Sequence, residues 1–172
     1  ESLARHVSFV APDHRGHGRG MRPAERFQLE DVADDVAALA AALGIDRCIA
    51  VGYSMGGPIS LLLNQRHPAL VSGIVVEATA LEWRATLAER ARWKAVRLLG
   101  PLVRSWASPH WLRAGLRRMV NDQPLLADHL EWLAGEMSRN SGVHLVHAGQ
   151  ALSRYDARVW AATLGTPAAM LI

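Results

Sequence analysis

The stretch that most restricts this chain runs from Ile49 to Asn64. An apolar, β-type run, Cys48 to Val51, leads into Gly52-Tyr53-Ser54-Met55-Gly56-Gly57, and an apolar helical run follows. A serine set where a buried strand hands over to a helix has to take a tight, strained turn, so its neighbours must be small. Gly52 and Gly56 meet that need, and Gly57 lets the helix approach the sheet closely. Pro58 falls in the first helical turn, where a missing N–H costs little. The helix N-terminus would aim free N–H groups, that of Met55 first, at the oxyanion that would form on attack by Ser54. A phosphate-cradling loop fits poorly, because no Gly-Lys-Ser/Thr follows.

The hexapeptide Gly52-Tyr53-Ser54-Met55-Gly56-Gly57 resembles the nucleophile elbow of the α/β-hydrolase superfamily, in its Gly-x-Ser-Met-Gly-Gly form. A second stretch, Asp13-His14-Arg15-Gly16-His17-Gly18-Arg19-Gly20, is similar to the Asp-x-Arg-Gly-x-Gly-x-Ser loop after the family's fourth strand, with Gly20 in place of the usual serine. The resemblance implies an α/β fold: a partial, doubly wound, mostly parallel sheet with an inserted all-helical cap. On that pattern Ser54 is the nucleophile and Met55 the backbone oxyanion donor, while Gly52, Tyr53, Gly56 and Gly57 set the elbow geometry.

In chain order, Glu1 to Arg5 reads as a helix tail and His6 to Ala11 as a short strand, the fourth of the family's order. Leu29, Val32, Val36, Leu39 and Leu43 recur at three- and four-residue steps, the stripe of an amphipathic helix. Glu30, Asp31, Asp34 and Asp35 crowd its N-terminal half, where the helix dipole favours anions, and Gly44 ends it as a C′ residue. The elbow helix reaches about Arg66 and stops at Pro68, and Ser72 to Thr79 reads as the next buried strand. Strands alternating with helices imply βα units and a parallel sheet. Glu77, at the end of that strand, is an alternative candidate for a catalytic acid, because some α/β-hydrolases carry the acid there; otherwise it lines the cleft or pairs with an arginine.

From Leu81 the character changes. Leu81 to Trp160 is helical, rich in Arg and Trp, and broken at Gly100-Pro101, Ser108-Pro109, Asn121 to Pro124 and Asn140 to Gly142. The block resembles the cap that many α/β-hydrolases insert between their sixth and seventh strands. Its tryptophans, Trp83, Trp93, Trp106, Trp111, Trp132 and Trp160, read chiefly as packing between small helices, with one or two available to line an apolar pocket. Thr166 to Ile172 restores a strand pattern, the family's seventh strand. Residues 1–80 are therefore expected to form a partial core with strands four to six, residues 81–160 the cap, and residues 161–172 the return to the core.

Half of the 172 residues are apolar and the net charge is +3, which suits one folded domain. No apolar stretch reaches the ~18 residues of a membrane span. The single cysteine, Cys48, sits in the elbow strand and reads as core, and a reducing cytoplasm is the default compartment. Twelve Lys/Arg face seven Asp/Glu between Leu81 and Trp160. That excess reads as a solvated helical face, with a membrane surface as a secondary reading; no recognised motif points to nucleic acid. His14 and His17 share a loop that leaves the wrong strand for a catalytic base, and His144 and His147 lie three apart on a helix. Neither pair has a third ligand in view, so no metal and no cofactor is expected.

These residues imply a serine hydrolase acting on carboxylic esters or related, chiefly apolar, acyl substrates through a covalent acyl-enzyme on Ser54. The histidine and acid of the family's triad, the first three strands and the loop supplying a second oxyanion N–H have no counterpart in the sequence. The expectation is an internal piece of a longer enzyme, nearly inert alone. Serine at the elbow argues against haloalkane dehalogenases and epoxide hydrolases, which place aspartate there. Acyltransferases, C–C bond hydrolases, cofactor-free haloperoxidases and a non-catalytic binding protein of the same fold remain open alternatives.

Overall fold

Three parallel strands and the helix between the first two carry the elbow. In the computed structural model, residues 5–103, 115, 117–118, 129–140 and 142–171 are described. Helix α1 (Leu29–Ala42) precedes β1 (Cys48–Tyr53), α2 (Gly56–Arg66) and β2 (Val71–Glu77). Then come α3 (Leu87–Val103), α4 (Leu130–Ser138), α5 (Gly142–Leu152), a 3-10 turn (Ala161–Thr163) and β3 (Ala168–Leu171). The sheet order is β1-β2-β3, all parallel. A parallel pair needs a crossover, and α2 supplies it between β1 and β2.

Alternation along the strands decides which face α2 covers. Ala50 and Gly52 of β1 pair in register with Ile74 and Val76 of β2, and all four are buried. Ile49, Val51 and Tyr53 point to the opposite face and are exposed. The buried row packs against Ile59, Leu61, Leu62 and Leu63 of α2, and Leu29, Val32 and Ala33 of α1 close the same cluster from behind. Full burial of each such aliphatic side chain contributes about 1.5–3 kcal/mol. Asn64, a polar residue within this layer, accepts a hydrogen bond from Thr166 Oγ1 at 2.8 Å, which ties α2 to the approach of β3.

The C-terminus of α1 follows its residues closely. Gly44 takes φ 68° and donates to Ala41 O, while Ile45 N–H donates to Ala40 O. This is the Schellman arrangement, which satisfies carbonyls that a helix end leaves free. Leu43 is the C-cap and is exposed, so the apolar stripe ends one turn earlier than its spacing suggests.

Several expectations change. His6 to Ala11 forms no ladder: His6 lies in a turn, the rest has no regular structure, and all are exposed, because a strand needs a paired neighbour and no described strand pairs with it. Cys48 opens β1 half-buried rather than enclosed, and burial still pushes its thiol pKa up. Gly100-Pro101 does not break α3, which runs through both to Val103. A proline in a helix removes one N–H bond and costs stability, but here it does not stop the helix. Trp132 is exposed rather than packed. Trp106, Trp111, the breaks at Ser108-Pro109 and Asn121 to Pro124, residues 1–4 of the expected helix tail and Ile172 lie outside the described residues.

The chain just before α3 and the chain just after α5 lie side by side. Glu82 and Asp156 form an antiparallel bridge, and Ala157 N–H donates to Leu81 O at 2.8 Å. Thr86 and Glu89 form a reciprocal capping box at the start of α3: Glu89 N–H donates to Thr86 Oγ1, and Glu89 Oε2 accepts from Thr86 N–H. Helix α5 does not stand apart from the core. Ala148, Ala151 and Leu152, with Tyr155 and Ala157, belong to the same buried cluster as the sheet.

Candidate active site

The strand-to-helix turn after β1 holds Ser54 at φ 50°, in the left-handed region. A non-glycine residue there costs on the order of 1–3 kcal/mol, and such strain persists only where the surroundings over-determine it. They do so here from both sides. Ser54 N–H donates to Glu77 O of the neighbouring strand at 2.9 Å, and Gly57 N–H donates to Ser54 O at 3.0 Å. The serine is half-buried, and among the described residues its hydroxyl has no hydrogen-bond partner.

Close approach explains two of the three glycines. A Cβ on Gly52 would sit 2.1 Å from Gly56 O, and one on Gly57 would sit 2.4 Å from Thr79 Oγ1. Both positions exclude any side chain. Gly56 differs: a Cβ there meets nothing within 4 Å, so crowding by these residues does not explain it. Pro58 is buried in the first turn of α2, and Met55, the residue before the helix, packs half-buried against the core cluster. Met55 N–H opens a helix whose first N–H groups have no intrahelical acceptor. Tyr53 is largely exposed at the end of β1.

Glu77 ends β2 in register with Tyr53, so the sheet brings it to the same edge as Ser54. Its side chain is exposed and, among the described residues, forms no ion pair. Its backbone carbonyl is the part that holds Ser54. The next residue, Ala78, has φ 47°, a second strained position at the same edge, and Thr79 then packs beneath Gly57. Neither Ala78 nor Thr79 carries a sequence signal, since an alanine and a threonine after a strand fit many turns.

The histidines lie elsewhere. His67 pairs with Asp34 at 2.8 Å, but it caps the far end of α2, about 16 Å from the elbow at 1.5 Å per helical residue. Arg66 also holds Asp34, and these hydrogen bonds draw its carboxyl down to about 2. In the loop, Arg15 bridges Asp31 and Asp35 of α1, and Asp13 accepts from Arg19 N–H. Burial, and next the charge of His17, lower the pKa of His14. His17 packs edge-on against Phe27. His144 is buried on α5, with Nε2 at 3.1 Å from Pro23 O, and burial lowers the pKa of His147. Among the described residues no group of three or more His, Cys, Asp or Glu converges on a metal position.

With this geometry in view, likeness to known proteins is specific. Residues 1–111 match the alpha/beta hydrolase fold family. The sequence is 32% identical over 135 residues to the protein named "Putative carbamate hydrolase RutD" of Serratia proteamaculans, which covers 77% of this chain and 45% of that protein. It is 34% identical over 73 residues to 2-(acetamidomethylene)succinate hydrolase of Mesorhizobium japonicum, covering 42% of this chain and 26% of that one. A thermophilic esterase from Thermogutta terrifontis superposes with a TM-score of 0.80 at 18% identity, over 98% of this chain and 62% of the esterase. The enol-lactonase from Burkholderia xenovorans gives 0.78 at 22% identity, over 98% of this chain and 63% of the lactonase. The chain spans about half the length of the RutD protein and a smaller share of the other curated relative. A strained serine between β1 and α2, the glycine contacts around it and the match over residues 1–111 agree: the chain belongs to the alpha/beta hydrolase fold family.

Proposed function

We propose that the protein of which this chain is part is a serine hydrolase of carboxylic esters or related acyl compounds. The observation that carries the reading is the φ of 50° at Ser54, in the turn from β1 to α2, at a residue whose hydroxyl has no hydrogen-bond partner among the described residues. Ser54 Oγ adds to the acyl carbon, the carbonyl oxygen becomes an oxyanion, and Met55 N–H donates to it. Collapse expels the alcohol or amine, which takes up the serine proton, and leaves an acyl-Ser54 ester. Water then hydrolyses that ester and restores the hydroxyl.

A serine hydroxyl needs a base to take its proton and an acid to orient the base. No described histidine is hydrogen-bonded to Ser54, so the reading takes the base from chain beyond the described residues; the acid comes from there too, or is Glu77, which strand order brings to the same end of the sheet. The names of the relatives support the substrate class: carbamate, acetamido, ester and enol-lactone groups all present an acyl carbon bonded to a heteroatom. An apolar body for that substrate, cleft-lining tryptophans from residues 81–160 and a cytoplasmic location belong to the same proposal.

Hydrolysis of p-nitrophenyl acetate by the full-length protein tests it. A burst of p-nitrophenol equal to the enzyme concentration is expected, and Ser54→Ala should lower turnover by on the order of 10³-fold or more. Steady hydrolysis that survives Ser54→Ala would refute the assignment.

A further inference from the structure

The start of α3 and the turn after α5 border a half-open cavity of about 400 Å³, lined by Glu82, Arg84, Arg90, Trp93, Lys94 and Ser153 and by no residue of the elbow. That volume falls in the ~300–1,000 Å³ range of small-molecule pockets. Its charge is unbalanced. The lining carboxylate, Glu82, is already engaged by Arg158 at 2.7 Å, and the same guanidinium holds Asp156 at 2.6 Å. Among the described residues Arg84 and Lys94 enter no ion pair, and Arg90 gives only its Nε–H, to Arg84 O at 2.9 Å. Arg84, Arg90 and Lys94 therefore line the cavity as exposed cations, and the acids beside them, Glu82 and Asp156, the latter also within reach of the Arg84 charge, are both held by Arg158.

The aromatic wall adds a second observation. Trp93 lines the cavity and stands edge-to-face with Trp83 at 6.4 Å, which fixes the ring. Trp83 Nε1 is buried without an acceptor among the described residues. Buried donors without acceptors are uncommon and call for an explanation. The region is rich in donors and poor in acceptors, and one side of it is flat and apolar.

We infer that this cavity binds a small organic anion, a carboxylate carried on a flat apolar body. The carboxylate is met by Arg84, Arg90 and Lys94, through the charge-assisted hydrogen bonds such groups form, and the body lies against Trp93. An inorganic anion would leave the indole wall unused. The inference does not depend on serine chemistry at Ser54.

Calorimetric titration of the full-length protein with benzoate, benzamide and inorganic phosphate tests it. Benzoate should bind saturably, with benzamide and phosphate each weaker by about tenfold or more, since a lost charge-assisted contact is worth roughly that factor. The double variant Arg84→Gln, Lys94→Gln should lose benzoate affinity by a similar factor, while the charge-keeping pair Arg84→Lys, Lys94→Arg should lose less than the Gln pair. Equal binding of benzoate and benzamide, phosphate binding as tight as benzoate, or unchanged affinity in the Gln pair would each overturn the proposal. Ser54→Ala separates this site from the elbow: it should keep benzoate binding while losing ester hydrolysis. Loss of benzoate binding in Ser54→Ala would put the anion at the elbow and overturn the inference.

Discussion

The elbow edge of the sheet and the helical block after β2 are built on different principles. At the elbow the backbone itself is the constraint: two strained residues, Ser54 and Ala78, end adjacent strands, and two glycines leave no room for a side chain. In the block and at its seam with the core, side chains carry the structure. Arg158 spans Glu82 and Asp156, indole edges pack on rings, and Trp83 Nε1, His147 Nδ1 and Tyr155 OH are buried without partners among the described residues. Thr79 Oγ1, beneath Gly57, also has no partner among the described residues, so the looser style begins right behind the elbow. A backbone-defined site has one solution, whereas a side-chain-defined seam tolerates several.

Substitutions can break or sharpen that contrast. Gly52→Ala should have the largest effect, because its Cβ would meet Gly56 O at 2.1 Å. A loss on the order of 3 kcal/mol or more is expected in chemical denaturation of the full-length protein. Gly56→Ala, four residues on and with open space, should be neutral or stabilise by up to about 1 kcal/mol through helix propensity. Equal losses at the two positions would mean that crowding does not define the turn.

Ser54→Gly should raise stability by about 1 kcal/mol, since strain relief outweighs the entropy cost of glycine, while abolishing ester hydrolysis. Ser54→Ala should lose activity without that gain, because its Cβ keeps the strain. At the seam, Tyr155→Phe should be neutral or mildly stabilising, by up to about 1 kcal/mol in a urea melt, because the lost hydroxyl has no partner among the described residues. Burial raises the phenol pKa well above its ordinary value, which agrees with an enclosed, uncharged ring.

How far residues announce structure follows the same division. Cys48 to Arg66, Gly44 and the strands around Val71–Glu77 and Ala168–Leu171 were legible, because glycine spacing, proline stops and apolar runs act locally. His6 to Ala11 has strand composition and forms no ladder, since pairing depends on a neighbour and not on propensity. The helix through Gly100-Pro101 shows local breaking signals outweighed by their surroundings. The Thr86–Glu89 capping box has a local signature, the Thr-x-x-Glu pattern. The Asn64–Thr166 bond joins residues 102 positions apart, and the strain at Ala78 arises from how β2 ends; neither has a local signature.

The smallest predicted effect is acid sensitivity at the outer end of α2. The carboxyl of Asp34 is drawn from 3.8 down to about 2, by Arg66 first and then His67. A depressed folded-state value contributes stability that is full above the unfolded pKa and is lost as pH falls from about 4 to about 2. The pair is exposed, so the loss should be modest and weaken further in salt. Asp34→Asn should remove this slope from urea midpoints measured across that pH window, and a slope that persists in the variant would assign it to other carboxylates.

Mass-mapped labelling of the full-length protein with a fluorophosphonate probe tests the central claim most directly. The account predicts one phosphonylated peptide, modified at Ser54, and none in Ser54→Ala. A folded protein that reacts at another serine, or does not react while it still hydrolyses esters, would contradict it.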